Sequence, residues 1–321
     1  MSGYSLMTVN MNGHTNAQER RKLLSEIIRR EGKKSSLVFC QELPGRFERD
    51  VVPDNYDFVR TAGKHAAVMW SKQHFHSKKV DAGFKTKISD TLPHTMNIIG
   101  DDILSEIPAR TAVVMLTAIK ESCNFLAVSW HGPHSGWTLK RKQKALKGLI
   151  LFLYEVCRRI EDVSLIIIGG DFNLNTLAEN GLEELKVDFQ PYGLSDRATE
   201  RWKDRKNYIP YKDNFAITTT STSEDFPFGA MKLWAVEPLS AFVYVKEEGS
   251  EKGKDILDHD PIVGFLQLGK TPSTANSNNN DDGDDDDNDD DDEDEDNDDD
   301  DDDDDDDDCD SHIDNDNNQG A

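Results

Sequence analysis

From Thr271 to Ala321 the chain holds no Lys or Arg and hardly a large apolar side chain, and Asp298 to Asp308 are eleven consecutive aspartates. Such a segment has nothing to bury and its like charges repel. Residues 271–321 therefore read as a disordered, Asp-rich, low-complexity tail. Whatever folds must fold within residues 1–270, a length ample for one large core. Of the 63 Asp and Glu, 28 lie beyond Asn280, leaving 35 acids against 37 Lys and Arg in the body, a formal charge of +2. The chain's net charge of −26 belongs to the tail, and a near-neutral body leaves polyanionic substrates open.

Cys40, Cys123 and Cys157 sit inside apolar runs, as small buried thiols do, while Cys309 falls in the tail. No paired metal spacing and no disulfide framework is expected in a body this large. Residues 1–4 lead into a strand-like run without the basic start and apolar stretch of a secretory signal. The longest apolar segment, Leu149 to Val156, is too short to span a bilayer. A cytoplasmic or nuclear location is expected.

Along the body, Ser5 to Met11 reads as a buried strand. Thr15 to Glu31 reads as a helix, with Asn16 and Glu19 as a cap, Leu23, Leu24, Ile27 and Ile28 on one face, and Gly32 as the stop. Leu37 to Cys40 is a second buried strand. Further strands are expected at His65 to Trp70, Thr111 to Ala118 and Phe125 to Trp130. A long helix follows from about Leu139 to Ile160, with Leu146, Leu149, Ile150, Leu153, Val156 and Ile160 at helical spacing. Val163 to Ile168 is an apolar strand expected to break at Gly169-Gly170. Later strands are expected at Asn214 to Thr219, Leu233 to Val236, Ala241 to Val245 and Pro261 to Leu268. Mixed helix and strand signals of this kind suit an α/β (α+β) chain. The expected architecture is a four-layer sandwich of two packed mixed β-sheets flanked by helices.

The informative pattern is where polar residues interrupt apolar strands. Asn10, Glu42, His131, Asp171, Asn173, Asp258 and His259 each lie at or just beyond the end of such a run. Buried strands that deliver acids, amides and imidazoles at their ends are how a rigid scaffold builds a site.

The order Val9-Asn10-Met11-Asn12-Gly13, Phe39-Cys40-Gln41-Glu42, Gly170-Asp171-Phe172-Asn173 and Asp258-His259-Asp260-Pro261 resembles the endonuclease/exonuclease/phosphatase superfamily, the fold of deoxyribonuclease I. The resemblance covers residues 4–268, and Gly-Asp-Phe-Asn after a buried strand is its most specific piece. It implies a divalent-metal-dependent phosphoester hydrolase. Glu42 would hold Mg²⁺ or Mn²⁺, for which one or two carboxylates plus water and substrate phosphate suffice. Asp258 would be a further metal-site carboxylate, and Asn10 would orient Glu42 or the phosphate. Asp171 would deprotonate the attacking water, and Asn173 would hold the phosphate. His259, paired with Asp213, would donate to a phosphoryl oxygen as charge builds there. His131 stands where nucleases of this fold carry a second histidine. Asn12 and Arg110 are candidates for substrate contact. Asn12 replaces an acid found in some members, and Leu257 a frequent serine.

Relatives of this fold cleave DNA, RNA, phosphoinositides or sphingomyelin, so substrate is not read from fold. Lys140, Arg141, Lys142, Lys144 and Lys147 form a basic cluster on the long helix, either a polyanion surface or a solvated face. A phosphodiesterase or nuclease acting on nucleic acid is the first reading. A phosphatase of inositide or nucleotide headgroups is the second. The third is a non-catalytic binding protein. For the tail, the partners that its charge suggests are divalent cations or basic proteins.

Overall fold

Strands β1 (Gly3–Asn10) and β2 (Leu37–Gln41) lie side by side in parallel, with Leu6 opposite Leu37 and Asn10 opposite Gln41. A second parallel pair, β7 (Cys123–His131) and β8 (Leu165–Asp171), aligns Phe125 with Leu165 and His131 with Asp171. These are views of a computed structural model that describes residues 3–11, 35–77, 103, 106–134, 136–160, 163, 165–178, 180–185, 188–192, 213–219, 232–238 and 261–268. The chain divides into Met1–Ser273 and Thr274–Ala321, and every described residue belongs to the first. The helix expected over Thr15 to Glu31, the strand expected at Ala241 to Val245 and the acidic tail lie outside the described residues.

Around each parallel pair the remaining neighbours run antiparallel. One sheet adds β3 (Tyr56–Arg60), β4 (Ala66–Ser71), β11 (Lys232–Pro238) and β12 (Ile262–Gln267), in the order β11-β12-β1-β2-β4-β3. The other adds β5 (Phe75–Ser77), β6 (Thr111–Ala118), β9 (Asp188–Tyr192) and β10 (Asp213–Thr219), in the order β5-β6-β7-β8-β10-β9. Both sheets are thus mixed, each with its parallel pair at the centre. A parallel pair needs a crossover, and α3 (Leu139–Arg158) makes it between β7 and β8. Thr138 caps that helix by accepting from the Arg141 amide at 3.4 Å. Two short α-helices, α1 (Phe47–Asp50) and α2 (Glu106–Arg110), and a 3₁₀ turn at Glu183–Leu185 complete the described part.

Strand side chains alternate between faces, and here the alternation sorts the core into three layers. Tyr4, Leu6, Leu37, Phe39, Phe125, Ala127, Leu165, Ile167, Phe215 and Ile217 point inward and fill the space between the sheets. Leu126, Val128, Trp130, Ile166 and Ile168 face out and meet Leu146, Leu149, Ile150, Leu153 and Val156 of α3. Met7, Val9, Val38, Cys40, Ala67 and Met69 form the outer face of the first sheet, under Phe47 and Val51. Each fully buried Leu or Ile contributes about 1.5–3 kcal/mol, so α3 is held by its stripe rather than by helix propensity.

One expectation is corrected. The strand from Leu165 does not break at Gly169-Gly170 but continues to Asp171. The glycines serve close packing instead. A Cβ on Gly169 would stand 2.3 Å from the Phe39 ring, and one on Gly170 would stand 2.0 Å from the Trp130 carbonyl oxygen. Three further strands, β3, β5 and β9, were not expected.

Candidate active site between the sheet ends

Followed toward one end, the inward face of every central strand changes from apolar to polar. After Tyr4 and Leu6 come Thr8 and Asn10, and after Leu37 and Phe39 comes Gln41. After Phe125 and Ala127 come Ser129 and His131, and after Leu165, Ile167 and Gly169 comes Asp171. On β10 the same end is its start, and Asp213 precedes Phe215 by two residues. The register sets His131, Asp171 and Asp213 in a row on three adjacent strands. Asn10 and Gln41 face them from the other sheet. All five side chains are buried.

Hydrogen bonds tie the two sheets together at this level. Gln41 Nε2 donates to Ser129 Oγ at 3.0 Å, and Ser129 Oγ donates to the Cys40 carbonyl at 2.9 Å. Beyond them Asn10 Nδ2 lies 3.2 Å from both Glu42 Oε1 and Asp171 Oδ2. One amide therefore stands between two carboxylates from different sheets. His131 Nε2 is 3.4 Å from Glu42 Oε1. That distance is within ion-pair reach but lacks hydrogen-bond geometry, and neither nitrogen of this buried ring has a hydrogen-bond partner among the described residues.

Two backbone positions at the site lie at positive φ, with strain at Glu42. Glu42 has φ 50 and Asn173 φ 51, in the left-handed region that non-glycine residues seldom adopt. Glu42 is held there by the turn before β4. Its amide donates to the His65 carbonyl at 3.0 Å, and the Leu43 amide donates to Lys64 at 2.9 Å. Asn173 is held by its own motif. Its amide donates to Asp171 Oδ1 at 3.0 Å and its Nδ2 to the Gly132 carbonyl at 3.2 Å, while its carbonyl accepts from Lys142 Nζ at 3.1 Å. Gly132 has no room for a side chain, since a Cβ would sit 2.2 Å from the Phe172 carbonyl oxygen. Strain held by surrounding contacts is common at functional positions.

The fold therefore gathers Asn10, Glu42, His131, Asp171 and Asn173 and aligns Asp213 beside them. Arg110 is drawn in behind. Its Nε donates to Glu106 at 2.9 Å and its Nη1 approaches the His131 carbonyl at 3.5 Å. Asn12, Asp258 and His259 lie outside the described residues. The basic cluster divides, for Lys142 bonds the Asn173 carbonyl and Arg141 covers Trp137 at 3.8 Å, while Lys140 and Lys144 stay exposed. His65 was missed as a neighbour of the site. It precedes an antiparallel strand, so its polar character sits at a strand start, which attention to strand ends overlooks. Asp213 occupies the same kind of position.

Among the described residues no group of three or more His, Cys, Asp or Glu forms a complete metal-ligand set. The donors that are present nonetheless fit a hard divalent cation. The Glu42 carboxylate, aimed by the Asn10 amide, is the hard oxygen type of ligand that such a cation takes.

No protein-family model and no curated protein matches this sequence. Solved structures do match it in fold. An endonuclease/exonuclease/phosphatase from Bacteroides vulgatus is 15% identical with a TM-score of 0.54, over 84% of this chain and 100% of that one. The mannosyl-6-phosphatase of Bacteroides thetaiotaomicron is 12% identical with a TM-score of 0.55, over 83% and 100%. The human Nocturnin catalytic domain, solved with a bound sulfate anion, is 12% identical with a TM-score of 0.52, over 83% and 94%. At these identities what is shared is the fold, that of the endonuclease/exonuclease/phosphatase proteins. Among the described residues no helix is long and apolar enough to cross a membrane.

Proposed function

We propose that this chain is a divalent-metal-dependent phosphoester hydrolase, and first of all a phosphodiesterase acting on nucleic acid. The observation that carries the reading is the meeting of Glu42 and Asp171, from different sheets, at the Asn10 amide beside His131.

Glu42 and Asp258 would hold Mg²⁺ or Mn²⁺, and Asn10 would keep Glu42 aimed. Bound there, the cation supplies charge that draws electron density from a phosphoryl oxygen. The chain's own residues do the rest. Asp171, fixed through both carboxylate oxygens by Asn10 and the Asn173 amide, takes a proton from water as the water oxygen attacks phosphorus. Asn173 and His259 donate to the phosphoryl oxygens as negative charge grows. The bond to the leaving oxygen breaks, and His131 in its protonated form supplies that oxygen's proton. Asp213 steadies His259, and Asn12 and Arg110 help to seat substrate. The catalytic unit is taken as residues 1–270. Residues 271–321 are an acidic appendage suited to cations or basic proteins.

The test is hydrolysis by purified protein of duplex and single-stranded DNA, RNA, inositol phosphates, nucleotides and bis(p-nitrophenyl) phosphate, with Mg²⁺, Mn²⁺ or EDTA. Asp171→Asn and His259→Ala are the controls. Cleavage that requires metal and is lost in both variants is expected. Preference for monoester headgroups would replace the nuclease reading with the phosphatase. No turnover of any substrate would leave the binding-protein reading.

A further inference from the structure

A catalytic histidine is ordinarily aimed by a hydrogen bond to its second nitrogen, which fixes both ring plane and tautomer. His131 is 2% exposed, and among the described residues neither of its nitrogens has such a bond. Its ring is instead contacted by two other imidazoles. His65, from the opposite sheet, lies 5.9 Å away between centroids at 36°, and His134 lies 6.2 Å away at 72°. Both distances are within the range of attractive ring pairs. His134 is exposed on the loop after β7, whereas His65 is half-buried and firmly built in.

The turn joining β3 to β4 is organised around His65. Thr61 Oγ1 accepts from the His65 amide at 3.0 Å and from the Ala66 amide at 3.1 Å. The Thr61 amide donates to the Ala66 carbonyl at 2.9 Å, and Lys64 turns through φ 58. Gly63 makes room for the ring, since a Cβ there would stand 2.8 Å from His65 Cδ2. The His65 carbonyl also receives the Glu42 amide at 3.0 Å. A single residue thus touches both partners of the His131–Glu42 pair, one through its ring and one through its backbone.

We propose that His65 is a positioning residue that aims His131 by tilted ring-against-ring packing, in place of the usual hydrogen bond. The inference rests on the hydrolase reading for its effect on rate, but not for the ring geometry itself. A flat ring is what the position needs.

His65→Ala, His65→Gln and His65→Phe separate these requirements. With a DNA oligonucleotide, whose leaving sugar alkoxide needs the His131 proton, and Mn²⁺, Ala and Gln are expected to lower kcat by about ten- to a hundred-fold, the scale of a misaimed group. KM should hold, because a positioning role falls on the chemical step rather than on ground-state binding. Phe should restore kcat close to wild type. In parallel, the His131 ring signals, assigned with His131→Ala in carbon–proton NMR spectra, should move in the Ala and Gln variants and less in Phe. Phe as poor as Ala, or Ala equal to wild type, overturns the proposal. If the wild-type protein cleaves nothing, the hydrolase reading fails and the ring signals alone decide. Signals of His131 unchanged in folded His65→Ala would then overturn it.

Discussion

Glu42 and Asn173 occupy corresponding places in the two sheets and share a backbone angle, φ 50 and φ 51. Each follows the second strand of its sheet's central parallel pair, β2 or β8. Asparagine tolerates this left-handed region and glutamate does not. The strain at Glu42 is borne by the His65 and Lys64 carbonyls that hold its turn, a cost in stability that sets the direction of its carboxylate.

That cost is measurable apart from activity. Glu42→Gly and Glu42→Ala both remove the carboxylate, but only glycine relaxes at positive φ. The glycine variant should be the more stable by about 1 kcal/mol in urea unfolding. Equal stability would mean that the turn carries no strain.

Cation binding should appear as stabilisation. With Mg²⁺ or Mn²⁺ at about 100 times its Kd, the wild-type midpoint should rise by the equivalent of about 2.7 kcal/mol. Glu42→Gln should abolish the rise, read by thermal unfolding with and without EDTA.

The contact of Gly169 with Phe39 fixes the spacing of the sheets. Gly169→Ala should destabilise by about 1–3 kcal/mol through overpacking. Adding Phe39→Leu should recover part of that loss, because the clash is with the ring. Simple additivity of the two in a double-mutant cycle would count against direct contact.

Ser129→Ala leaves the buried Gln41 amide without its partner across the sheets. A cost of about 1–3 kcal/mol is expected. Because the same bonds seat the strand that leads to Glu42, kcat should fall as well, measured below the variant's melting range.

Alkaline pH should weaken the fold. Burial pushes the Cys157 thiol up from 9.0 to about 12 and the Tyr56 hydroxyl from 10.0 to about 12. In the unfolded chain these groups ionise first, so the folded state holds the extra protons. Their contribution is intact below about pH 9 and is lost as pH rises toward 12. Urea midpoints should therefore fall from about pH 8 to about pH 10, one unit either side of the free-thiol value of 9.0. Cys157→Ala should flatten the slope.

Strands buried on both faces were legible in the sequence, and of the four sheet edges only β11 was. β6 runs over Thr111 to Ala118 as expected, because its residues are almost wholly apolar. The unexpected β3, β5 and β9 are all sheet edges. Asp57 and Arg60 are exposed on opposite faces of β3 and break the apolar signal there. The site was legible where a strand delivers its polar residue at the carboxyl end, as at Asn10 and Asp171. It was opaque at His65 and Lys142, whose parts depend on contacts with residues distant in sequence.

The pairing of β12 with β1, Thr8 against Ile262 and Gly3 against Gln267, has a consequence for how the molecule is made. A ribosome must emit more than 250 residues after β1 before that strand meets its neighbour. Until then one side of β1 presents bare amides and carbonyls beside an apolar surface, an invitation to aggregation. Such distant pairing also slows folding. Synthesis of this chain should therefore lean on chaperones that shield the nascent first half until the last strand arrives.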